Sequence, residues 1–81
     1  MMTLNDIQEK VKAFLVDELE IDEEKIMDEA SLREDLAIDS LEVVDIIVFV
    51  EREFGFKMKQ EDFRTIKTYG QFCQFIQEKL G

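Results

Sequence analysis

Residues 39–55 read Asp-Ser-Leu-Glu-Val-Val-Asp-Ile-Ile-Val-Phe-Val-Glu-Arg-Glu-Phe-Gly. Asp39 is an N-cap residue type with Glu42 three positions on, the spacing of a capping box, and Gly55 stands where a C-terminal glycine stops a helix. At about 100° per residue, Val43, Ile46, Ile47, Val50 and Phe54 fall on one side, which is the expected core face. Leu41, Val44 and Val48 form a second apolar stripe, offset by roughly 140° on the same arithmetic. A helix packed on one core has no need of that stripe. Bordered by Asp45 and Glu51, it has the character of a protein-docking surface unless the chain before it folds across and covers it. Phe49 lies on neither stripe and is expected to point outward, as a partner contact or an incidental surface aromatic.

Outward from this helix the same periodicity recurs. Thr3 and Asp6 have capping-box spacing ahead of Leu4, Ile7, Val11, Phe14, Leu15 and Leu19, which predicts a first amphipathic helix over roughly residues 4–19. Residues 20–39 form a long acidic connection through which Ile21, Ile26, Met27, Leu32, Leu36 and Ile38 recur, so it is expected to pack rather than swing free. Ser31 and Glu34 suggest one capped turn within it. Residues 60–65 read as a short third helix. Thr68 and Gln71 cap a last helix carrying Phe72, Cys73, Phe75, Ile76 and Leu80. Neither strand-like alternation nor an internal repeat is visible. The expected architecture is all-α: a single-domain four-helix bundle over residues 1–81, with three longer helices, one short one and a long loop between the first two.

Composition narrows the function. Eighty-one residues hold one core, and the absence of proline with only three glycines favours helices. Twenty acidic against ten basic residues give a net charge of −10, of which residues 1–40 carry −9. Such a chain repels nucleic acid and anionic membranes and suits partners with basic surfaces. There is no histidine, hence no ready general base for a self-contained hydrolase site. The acids at 22–24 and 28–29 lack the alternating ligands and central glycine of a calcium loop, and no metal site is expected. A single cysteine, with no signal-peptide pattern and no membrane-length apolar run, points to a cytoplasmic protein and most simply a monomer. Cys73 sits among apolar positions and reads as a buried small hydrophobe.

Ser40 opens the central helix. A serine there ordinarily caps, but a phosphate attached at that place would meet free N–H groups and the positive end of the helix dipole. Asp-Ser-Leu alone is a weak signal. Its surroundings are specific: residues 32–45, Leu-Arg-Glu-Asp-Leu-Ala-Ile-Asp-Ser-Leu-Glu-Val-Val-Asp, followed by Glu51-Arg-Glu-Phe-Gly55, closely resemble the acyl carrier protein pattern around the phosphopantetheine serine. The resemblance continues through Ile66-Lys-Thr-Tyr-Gly70 and back through the first helix, in register over nearly the whole chain.

That resemblance implies that a separate phosphopantetheinyl transferase places 4'-phosphopantetheine on Ser40, flanked by Asp39 and Leu41, and that acyl groups ride on the arm as thioesters. It implies that Ile47, Val50 and Phe54 shelter the acyl chain. It further implies that acyl-loading and chain-elongating synthase enzymes with basic surfaces dock on Glu42, Val44, Asp45, Val48, Phe49, Glu51 and Glu53, most simply in fatty acid biosynthesis. The chain itself would then be a carrier, not an enzyme. A carrier of the same fold for a polyketide, aminoacyl or D-alanyl cargo, or an acidic helical adaptor that never receives the arm, are the alternatives. Three departures stand out. Ala37 replaces a usual glycine, Arg52 interrupts an acidic run, and residues 57–60 (Lys-Met-Lys-Gln) replace a stretch that commonly holds proline and acids.

Overall fold

The structure, a computed structural model, describes residues 2–81. Three α-helices carry the fold: α1 (Leu4–Asp17), α2 (Ser40–Phe54) and α3 (Tyr69–Leu80). Each begins in a capping box. The Thr3 hydroxyl accepts the Asp6 N–H at 3.2 Å, Asp39 accepts that of Glu42 at 2.9 Å, and Thr68 that of Gln71 at 3.2 Å. Each box satisfies donors that a helix start otherwise leaves to water. The short third helix is a 3-10 segment, Gln60–Arg64, opened by the Asp62 carboxylate accepting the Lys59 N–H at 2.9 Å. A second, three-residue 3-10 turn, Glu23–Lys25, lies in the long connection.

The core forms where single rows of these helices meet. Ile7, Val11 and Leu15 of α1, Ile46 and Val50 of α2, and Phe72, Cys73 and Ile76 of α3 are all buried, and α1 packs most closely on α3. Tyr69 ties the two together: its hydroxyl donates to the Gln8 carbonyl at 2.7 Å. α1 ends at Asp17, two residues before the periodicity suggested. Glu20 turns left-handed (φ 55°), and the Ile21 amide swings back to the Leu15 carbonyl at 3.0 Å.

The connection between α1 and α2 is pinned rather than loose. Leu32 donates to the Lys67 carbonyl (2.9 Å), Tyr69 to that of Ala30 (3.0 Å) and Gly70 to that of Asp28 (3.0 Å), around an antiparallel bridge between Ser31 and Thr68. Gly70 permits this approach, since a Cβ there would stand 3.0 Å from the Asp28 carbonyl oxygen. Ile26, Leu32, Leu36 and Ile38 are buried and Ile21 half-buried, as the pattern required, with Ala30 buried beside them. Met27 is the exception at 59 % exposed: its carbonyl accepts the Ala30 N–H in a turn, and the side chain faces solvent. Ser31 does cap a turn, accepting the Glu34 N–H, but the carboxylate that answers its own N–H is that of Asp35, at 2.8 Å.

Phe49 corrects the outward placement expected for it. It is 5 % exposed, stacked on Phe14 of α1 (ring centroids 4.2 Å apart, planes at 18°) and edge-on to Phe54 at 5.9 Å. The buried arc of α2 is rotated towards Phe49, leaving Val43 and Ile47 only half-buried. The cause is Phe14, whose ring reaches across from α1 and gives Phe49 an apolar partner. Phe49 is therefore a core residue, and its place among docking contacts is withdrawn.

Candidate functional site

Ser40 is the first residue of α2, and it is exposed. Its position follows from the cap around it. Asp39 accepts the Glu42 N–H and Glu42 accepts the Asp39 N–H at 3.1 Å, while Val43 donates to the Asp39 carbonyl at 3.0 Å to begin the helical ladder. The amides of Ser40 and Leu41 have no acceptor among the described residues. Two free donors and the positive end of the dipole thus surround the serine hydroxyl, a setting that suits a phosphoester oxygen.

Behind Ser40 the chain turns sharply. Ala37 has φ 54°, in the left-handed region that glycine tolerates and alanine resists, and the Ile38 amide is held by the Leu32 carbonyl at 2.9 Å. Alanine therefore keeps the turn, at a cost in backbone strain.

A cleft of about 390 Å³ opens beside Ser40. Ser40, Asp39 and Val43 form one wall, Arg33 and Ile38 of the connection another, and Gln60, Phe63 and Arg64 of the 3-10 segment the third. Phe63 is itself packed on Phe72, with centroids 5.7 Å apart. Sequence reasoning did not single out Arg33, Gln60, Phe63 or Arg64 for this site. The available signal was the placing of two arginines in an acidic chain, but nothing local says that positions 33 and 64 meet.

Along α2 the second stripe is open to solvent: Leu41 is 78 % exposed, Val44 43 % and Val48 53 %. The connection does not cover it. Asp45, Glu51 and Glu53 are exposed around it, whereas Glu42 is half-buried and committed to its cap. Val50 is wholly buried, Phe54 is 8 % exposed and Ile47 is half-buried, so these three belong to the packed interior. The cleft at Ser40 is lined by Val43 and Phe63 instead. Cys73 is fully buried, and burial pushes its thiol up to about 12, with the nearby Asp28 charge adding to the rise. It stays protonated and unreactive at neutral pH. Among the described residues no group of three or more potential metal ligands occurs, and no helix is long and apolar enough to cross a membrane.

Fold and site together define a small helical domain that displays one serine at a helix mouth beside an apolar, acid-rimmed surface. Comparison with known proteins gives this class its family. Residues 9–76 match the family model described as phosphopantetheine attachment site. The chain is 42 % identical over 80 residues to an acyl carrier protein of Thermosynechococcus vestitus, covering 99 % of each chain. It is 38 % identical over 81 residues to that of Thermotoga maritima, covering both in full, and 40 % identical over 80 residues to that of Petrotoga mobilis, covering 99 % of this chain and 94 % of the other. The chain belongs to the acyl carrier protein family, as a non-catalytic carrier of acyl groups on covalently attached 4'-phosphopantetheine.

Proposed function

We propose that Ser40 is the attachment point of the arm and that a separate phosphopantetheinyl transferase installs it from coenzyme A. The observation that carries this reading is the exposed Ser40 side chain at the start of α2, with the Ser40 and Leu41 amides still free to donate. Asp39 and Glu42 fix the helix mouth through their reciprocal cap, and Leu41 stands beside the serine as an apolar contact for an approaching enzyme. When bound, the arm supplies a terminal thiol that holds acyl groups as thioesters. The protein's own cysteine is buried and cannot serve that purpose.

Partner enzymes with basic surfaces dock on Leu41, Val44 and Val48 within the acidic frame of Glu42, Asp45, Glu51 and Glu53. Charge steers the encounter and the apolar stripe supplies the desolvated contact. The acyl chain shelters against Ile47, Val50 and Phe54, and because these are packed, entry requires the aromatic interior around Phe49 and Phe54 to shift. Fatty acid biosynthesis in the cytoplasm, with the carrier as a monomer, is the setting this reading favours. The test is intact-mass measurement after incubation with coenzyme A and a broad-specificity transferase. Gain of one phosphopantetheinyl group, absent in Ser40→Ala, is the expected result; an unchanged mass in the wild-type chain would refute the assignment.

A further inference from the structure

We propose that Arg33 and Arg64 form an anion clamp for the phosphodiester of the Ser40 arm, docking the arm in the cleft beside α2 between encounters with enzymes. The inference rests on Ser40 being the attachment point, and it adds a binding site that the carrier reading does not require.

Both arginines line the same cleft as Ser40, although they stand 31 positions apart in sequence. Both also line the adjoining cleft, where Lys67 joins them and Glu34 is the one acid among the lining residues. In a chain of net charge −10 this is a local reversal of sign. Neither arginine is committed elsewhere: among the described residues the ion pair is Lys12 with Glu23 at 3.5 Å, and neither guanidinium donates a hydrogen bond. Asp39 shares the rim, but one of its carboxylate oxygens already accepts the Glu42 N–H.

A phosphodiester carries one negative charge and two free oxygens, and an acidic protein surface repels it. Arginine answers this with a planar fork of donors that can grip two oxygens at once. The free amides of Ser40 and Leu41 approach the same group from the helix side. Beyond the phosphate, the arm carries a dimethyl-branched segment bearing one hydroxyl, and then two amides that lead to the terminal thiol. Ile38, Val43 and Phe63 offer the cleft's apolar wall to the first, and the Gln60 carboxamide can donate to and accept from the second.

The test compares the apo and phosphopantetheinylated forms of the wild-type chain and of the double variant Arg33→Gln/Arg64→Gln. Modification is driven to completion and verified by intact mass. Both arginines are exposed, so the variant is expected to fold. In the wild type, attachment of the arm should shift the Arg33 and Arg64 Nε–H resonances, give NOEs from the arm's methyl protons to the Phe63 ring, and raise the Tm. In the double variant the NOEs and the Tm gain should be lost, and added salt should weaken both in the wild type. Complete modification with unmoved arginine resonances, and an arm equally mobile in both proteins, overturns the clamp while leaving the carrier reading intact. A wild-type chain that gains no group overturns both.

Discussion

Replacing Phe49 by alanine tests the packing most directly. The ring is 5 % exposed, stacks on Phe14 at 4.2 Å and meets the edge of Phe54 at 5.9 Å. Truncating a buried phenylalanine removes its transfer free energy and leaves a cavity, together costing about 3–5 kcal/mol. A small domain has a total stability of about 5–10 kcal/mol, so the variant keeps only a narrow margin. With a urea slope of about 1 kcal/mol per molar for a chain of this size, the midpoint should fall by roughly 3 M or more. Phe49→Leu, which keeps most of the volume, should lose about 1 kcal/mol and serves as the folded control. A double-mutant cycle with Phe14→Leu should return a coupling of about 0.5–1.5 kcal/mol from the stacked pair. The measurement is urea unfolding followed by circular dichroism. A loss for Phe49→Ala below about 1 kcal/mol at unchanged slope would place the ring in solvent and refute the reasoning.

Three further outcomes are expected. Ala37→Gly relieves a left-handed alanine, and after the extra freedom glycine gives the unfolded chain, stability should rise by about 0.5 kcal/mol in thermal or urea denaturation. Leu41→Asn and Val48→Asn, at exposed positions, should each change stability by less than about 0.5 kcal/mol. Each should nonetheless weaken binding to a cognate synthase roughly tenfold by calorimetry; unaltered affinity in both would remove the stripe from the interface. Burial raises the Cys73 thiol from an ordinary 9.0 to about 12, and raises the Tyr69 hydroxyl as well. Between those values the folded chain binds more protons than the unfolded one, so stability should be insensitive to the thiol below pH 9 and fall as pH climbs from 9 towards 12. The fall should be shallower in Cys73→Ala, and an equally steep decline of the urea midpoint between pH 9 and 12 in the two proteins would contradict the burial of the thiol.

The sequence alone determined those features whose causes lie within a turn of helix. The capping boxes at Thr3, Asp39 and Thr68 join residues three apart, and Gly55 at φ 80° is the expected stop for α2. The placing of Ser40 at the mouth of α2 and the direction of the Leu41, Val44 and Val48 stripe follow from the same local rules and were legible from spacing, whereas the tertiary path of the connection decided that the stripe stays uncovered. What tertiary structure decided depends on residues far apart in the chain. Phe49 is buried because Phe14, 35 positions earlier, reaches it across the gap between helices. Met27 is exposed although the residues around it pack, since the bridge to Thr68 and the turn to Ala30 set the path of the connection. The cleft at Ser40 exists only where the connection and the 3-10 segment converge on α2, which brings Arg33 and Arg64 to one place. Helical periodicity assigns a side chain to a direction, but the elements packed against that direction determine whether it meets water, another ring or a charge.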